Sequence, residues 1–201
     1  MLNIEKVDTD NRKQVKRFVE LPYRIYANCL QWVPPLNVDA YNQLNRKKHP
    51  FHEHSDVDFF LAVRDGRDVG RIAVIENKPF NTYHRTHKAD FYLFECENDL
   101  EAATALFNTA FEWVKARRLD VVVGPKGFGP LDGYGLLTFG HEHRQTMTML
   151  TYMPIINSLW KCRVSRRKWI LSHAICPQIN SKSLNVWRKS PNASCSAVIW
   201  R

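Results

Sequence analysis

All twenty acidic residues of this 201-residue chain, and all eight glycines, lie at or before Met153; the last 48 residues contain neither. Up to Met153, twenty Lys and Arg balance the acids, so the whole formal charge of +9 comes from nine basic residues in the tail. A basic tail ordinarily points to nucleic acid or an anionic membrane. This one also holds eight of the nine serines, four of the six tryptophans and three of the five cysteines, Cys162, Cys176 and Cys195. A nucleic-acid arm concentrates Lys, Arg and Gly and spares Trp and Cys, and a disordered linker is poor in Trp and Ile. Residues 154–201 show neither a 3.6-residue nor a two-residue apolar period.

Translation in a wrong reading frame accounts for these shifts together. With the original frame one base back, Met153 with Pro154 forces Ala, Trp160 with Lys161 forces Glu, and Trp169 with Ile170 forces Asp. From the junction at 154/155 to that at 176/177, the permitted sets contain Y-Y-Q-Q-L-M-E-M-Q-G-F-Q-K-E-V-D-F-V-S-C-Y-L-P. That string reads as a helix ending at Gly-Phe followed by an alternating strand. The chain is therefore divided into an incomplete domain at 1–153 and a basic, Ser/Trp/Cys-rich tail at 154–201, out of frame. The alternative is a genuine cationic tail binding nucleic acid, with steep salt dependence lost on its removal.

Before the break the composition is that of one small globular domain. There is no apolar run of about 18 residues for a transmembrane helix, and the first residues lack the pattern of a signal peptide. Cys29 and Cys96 alone belong to this part, which suits a reducing cytoplasm rather than a disulfide scaffold.

The element order alternates. Residues 2–7 read as a strand, and Thr9 or Asp10 caps a helix over 11–19. Gln31-Trp32-Val33-Pro34-Pro35-Leu36 interrupts, and 37–49 is a short surface helix. Strands at 57–63 and 69–75 join across Asp65-Gly66, and 88–94 is the next strand. The clearest helix spans 99–117, with Asn98 and Glu101 as a variant capping box. A buried strand at 121–123 feeds the glycine-rich loop 124–135, and 136–139 and 147–151 read as short strands.

This order, completed by the restored helix and strand, resembles the GNAT acyl-CoA N-acyltransferase fold: α/β, a mixed twisted sheet flanked by helices, its C-terminal part here incomplete or disordered. Trp32-Val33-Pro34-Pro35-Leu36, then Asp65-Gly66-Arg67-Asp68-Val69-Gly70-Arg71-Ile72-Ala73, and Gly124-Pro125-Lys126-Gly127-Phe128-Gly129 narrow the likeness. They resemble a bacterial GNAT-like group that includes the bacterial ceramide synthases. The likeness covers about 2–152. It implies transfer of an acyl group from acyl-CoA or acetyl-CoA, as co-substrate, to a small-molecule or lipid amine, without metal, nucleic acid or a covalent intermediate. As written, lacking its closing helix, the domain is read as truncated and inactive.

In such enzymes backbone donors between the fourth strand and the following helix hold the pyrophosphate, which assigns cofactor contacts to Phe94, Glu95 and Asn98. A Q/R-x-x-G-x-G/A pattern usually stands there; this chain has Glu95-Cys96-Glu97-Asn98-Asp99-Leu100-Glu101. Its four carboxylates repel a pyrophosphate by about 1 kcal/mol or more each at short range. A non-catalytic GNAT-like binding module is thus the second reading. Cys96 is no nucleophile, since those carboxylates raise its pKa.

The loop is the leading site candidate. Gly127 and Gly129 admit close backbone approach, Lys126 and Asp132 supply charge for substrate, and Tyr134 a phenol for catalysis. The plainer alternative is a tight connection at a sheet edge. His141-Glu142-His143, if extended, sets two imidazoles opposite a carboxylate, and Glu142 or His143 is the candidate general base. His49, His52 and His54 with Glu53 invite a zinc reading, but no Cys pair or H-E-x-x-H accompanies them.

Overall fold

The computed structural model describes residues 1–129, 132, 133, 135 and 142–144. Its sheet is built around the hairpin of β2 (Asp56–Arg64) and β3 (Arg67–Glu76). Asp65 and Gly66, the two turn residues, hold φ at 49° and 78°. Both positive values give the turn whose twist matches paired strands. β1 (Leu2–Lys6) pairs antiparallel with β2, and β4 (Lys88–Cys96) antiparallel with β3. Helix α5 (Leu100–Ala116) then carries the chain across the sheet, and β5 (Val121–Val123) joins β4 in parallel, giving the order β1-β2-β3-β4-β5.

Each face of the sheet is covered. Phe60, Ile72, Val74, Phe91 and Phe94 lie beneath α5, which buries Leu106, Phe107, Ala110 and Val114 against them. On the opposite face Phe59, Leu61, Ala73, Ile75 and Tyr92 meet α1 (Arg12–Ile25), α2 (Asn37–Leu44) through Leu44, and α3 (Phe51–His54) through Phe51. Each fully buried large side chain stabilises by about 1.5–3 kcal/mol relative to exposure.

Helix α1 departs from the sequence expectation at both ends. Asn11 rather than Thr9 or Asp10 is the cap, accepting from the backbone N–H of Lys13 and Gln14. The helix also continues past Val19 to Ile25, through Pro22. Proline has no N–H to donate to the carbonyl four residues back. The guanidinium of Arg71 replaces it, donating from Nη1 to the Phe18 carbonyl at 2.8 Å. Similarly, Asp99 rather than Asn98 caps α5, accepting from Ala102 N at 3.0 Å. Two further short helices carry no periodicity that the sequence reading detects, α3 and α4 (Lys78–His84), the latter capped by Asn77. The expected strands at 136–139 and 147–151, and the tail after Met153, lie outside the described residues.

Candidate functional site

β4 is irregular where it matters. Ala73 pairs with Tyr92 and Arg71 with Glu95, so an extra residue is inserted between them, and Leu93 takes a φ of 50°. Such a bulge re-aims the side chains beyond it. It sends Phe94 to the α5 face with Phe91 and returns Glu95 to the face of Tyr92 and α1. β5 follows β4 only from Val121–Lys88 to Val123–Asp90. Beyond that, Lys126 N still reaches Phe91 O at 2.8 Å. Gly124 permits this departure, since a Cβ there would lie 2.5 Å from the Phe91 carbonyl oxygen and ring. Beyond Phe91 this edge of β4 has no strand partner among the described residues.

At the end of β4 sits a buried polar cluster. Glu95 accepts from the Tyr26 hydroxyl and faces Arg71 across the β3–β4 register. Burial pushes its carboxyl up to about 7, against the pull of Arg71 and of Tyr26. Trp32 stacks on Tyr26 at 5.2 Å, and Tyr23 meets Trp32 edge-on at 5.1 Å. The sequence motif 32–36 therefore belongs to the wall around this cluster.

The glycine-rich loop closes on itself. Phe128 is buried among Phe51, His49, His52 and Tyr92, with ring centroids 5.0–6.1 Å away. Asp132 accepts from Gly129 N at 2.6 Å, and its carbonyl accepts from the Tyr92 hydroxyl at 2.5 Å. A Cβ on Gly127 would collide with that of Asp132. Lys126 Nζ lies 3.5 Å from Asp90 Oδ2, and both Lys126 and Lys88 stand over the Phe80 ring. Lys126, Gly127, Gly129 and Asp132 are thus brought together, with their polar groups engaged internally. Tyr134 lies outside the described residues.

The residues assigned to cofactor contact are dispersed. Phe94 is core, packed 4.6 Å from Phe107, Glu95 points to the α1 face, and Asn98 stands in the short link to α5. The acidic residues of that link do not stand alone. Glu97 accepts from Arg24 at 2.6 Å and Arg67 at 2.8 Å, Asp99 from Arg64 at 2.8 Å, and Glu101 from the same Arg64 at 2.8 Å. Cys96 is buried, and burial, with Asp99 and Glu97 adding, pushes its thiol up to about 12.

Residues 142–144 form an exposed turn instead of an extended segment, and His143 Nε2 lies 3.4 Å from Glu142 Oε1. The histidines near α3 have separate partners. His52 Nε2 bonds the Gln43 carbonyl at 2.9 Å, and His54 Nδ1 bonds Ser55 Oγ at 2.7 Å. Among the described residues no group of three His, Cys, Asp or Glu is placed to hold a metal ion. Nor is any described helix long and apolar enough to cross a membrane.

The bulged, antiparallel β1–β4 sheet with its parallel fifth strand is the GNAT-like N-acyltransferase fold. Solved structures share it: a tandem GNAT protein from the clavulanic acid biosynthesis pathway, at TM-score 0.55 and 13% identity over 96% of this chain and 61% of that one. An acetyltransferase from Streptococcus agalactiae has TM-score 0.51 and 12% identity, over 99% and 96% of the two chains. In sequence, the chain is similar to the bacterial ceramide synthase of Caulobacter vibrioides, 33% identical over 144 residues, which are 71% of this chain and 37% of that protein. It is also similar to protein YghO of Escherichia coli, 26% identical over 136 residues, 66% of this chain and 34% of that one. The match therefore spans about a third of these relatives' length. No family model matches the chain.

Proposed function

We propose that this domain serves N-acyl transfer, moving an acyl group from a pantetheine thioester such as acyl-CoA to an amine, in keeping with its similarity to a ceramide synthase. The observation that carries the reading is β4: it is bulged at Leu93, β5 follows it only as far as Asp90, and beyond Phe91 it has no strand partner among the described residues, which suits the docking of an extended ligand. The pantetheine arm, an extended chain with two amides, has that character. Transfer also needs a group to take the proton of the attacking amine. Glu95, held by Tyr26 with its carboxyl pushed up to about 7, is the candidate among the described residues, and Glu142 and His143 stay as alternatives.

The residues after Met153 are then out of frame, and the activity belongs to the chain with its frame restored. The test is thiol release from acyl-CoA on addition of a long-chain amine, comparing the written chain, the restored chain and restored Glu95→Gln. Amine-dependent release by the restored chain is expected, reduced at least about a hundredfold by Glu95→Gln. Absence of release from the restored chain across acyl lengths favours the non-catalytic reading.

A further inference from the structure

Resting on the acyl-transfer reading, we infer that this chain holds its donor by the acyl-pantetheine portion and gives the nucleotide pyrophosphate no seat at the start of α5. The N-terminus of a helix attracts anions because its first N–H groups are unsatisfied. Here the helix supplies its own anion. Asp99 accepts from Ala102 N at 3.0 Å, and Arg64 grips its two oxygens from outside, at 2.8 and 3.1 Å.

Among the described residues the surroundings leave no spare cation. Glu97 takes Arg24 and Arg67, Glu101 shares Arg64, and Arg24 also donates to the Asp68 carbonyl. Arg17, the next arginine along this side, is bound to Asp68 and Glu5. Three carboxylates therefore meet three guanidiniums, and a pyrophosphate would add charge to a balanced set. The backbone of the link is engaged in part as well. Glu97 and Asn98 alone separate β4 from the Asp99 cap, neither is glycine, and Asp99 N is already bonded to the Glu97 carbonyl at 2.6 Å. The acyl-pantetheine arm needs none of these groups; its amides can pair with β4 beyond Phe91, where no strand partner stands among the described residues. The donor class is then an S-acyl pantetheine in which the adenosine end is dispensable.

Titration calorimetry of the frame-restored chain with S-octanoyl-CoA and with S-octanoyl-pantetheine tests this. Dissociation constants within about threefold of each other are expected. A preference for the CoA thioester beyond about tenfold overturns the inference while leaving the donor reading intact. Binding of neither thioester overturns the donor reading and this inference with it. A second variant guards the result: Glu97→Gln with Asp99→Asn, in which Asn still caps the helix. Its affinity for S-octanoyl-CoA is expected to rise by on the order of tenfold, because Arg24, Arg67 and Arg64 lose carboxylates that occupy them, while its affinity for S-octanoyl-pantetheine stays the same. An unchanged affinity for S-octanoyl-CoA would show that these carboxylates are not what excludes the pyrophosphate and would overturn the inference.

Discussion

Arg71 answers two local deficits at once: it bonds the Phe18 carbonyl that Pro22 leaves without a donor, and it faces the buried carboxyl of Glu95. Replacing it with Met should cost about 3–5 kcal/mol, because both groups lose a buried partner. Adding Pro22→Ala should recover about 1 kcal/mol of that, since an alanine at this position would supply the missing N–H. Denaturant titration of the single and double variants measures this, and strict additivity would count against the link. Glu95 also predicts a pH dependence. Its folded pKa, raised from 4.5 to about 7, means the folded state holds the proton more tightly. The resulting stability is fully present below about pH 4.5 and is lost as pH rises through about 7, by on the order of 3 kcal/mol. Comparing wild type with Glu95→Gln between pH 5 and 8 should show a flatter profile for the variant; parallel profiles would remove Glu95 from the account. Neither residue announces its role in the sequence. Arg71 lies in a strand that reads as apolar, and the pairing depends on a bulge whose inserted residue, Leu93, carries no local turn chemistry.

Elements are legible where local chemistry and packing agree. The Asp65-Gly66 hairpin and the long apolar stripe of α5 appear as read, and the fourth strand lies within two residues of its expected end. The failure at α1 is of another kind: a proline normally ends a helix, and only a donor from a distant strand lets this one continue. Likewise, the acidic link before α5 looks repulsive in sequence, while its arginine partners come from α1, β2 and β3, up to 73 positions away. The C-terminal half of α5 is fastened to the sheet by a polar bond. Trp113 Nε1 donates to Asp58 Oδ2 at 2.7 Å, beside Lys6 at 2.8 Å and Arg46 at 3.1 Å. Burial opposes the charge on Asp58, yet the bonds from Lys6 and Trp113 outweigh it and hold the carboxyl below its usual range. Trp113→Phe keeps an aromatic ring and removes the N–H, so a loss of about 1.5–3 kcal/mol is expected in thermal or chemical unfolding. A neutral result would mean the lysine and arginines suffice.

For the whole molecule, the fold class is readable from element order and motif wording, whereas the site is not. The glycine-rich loop looks like an open ligand cradle, and its closure depends on Phe128 finding a socket formed by α3 and β4. If the text after Met153 is out of frame, deleting residues 154–201 should leave the unfolding midpoint within about 2 °C of the full chain. A fall of more than about 5 °C would show that the tail contributes to stability and would sink the frame-shift reading. The order of strands has a consequence for biosynthesis. β2, β3 and β4 follow one another in the chain and pair as neighbours, and β1 precedes them, so among the described residues every antiparallel strand has been synthesised once Cys96 is made. On the ribosome these four strands can pair before α5 emerges, their second face is covered only when that helix follows, and a coding fault after Met153 reaches a nascent chain whose core layers have all been synthesised.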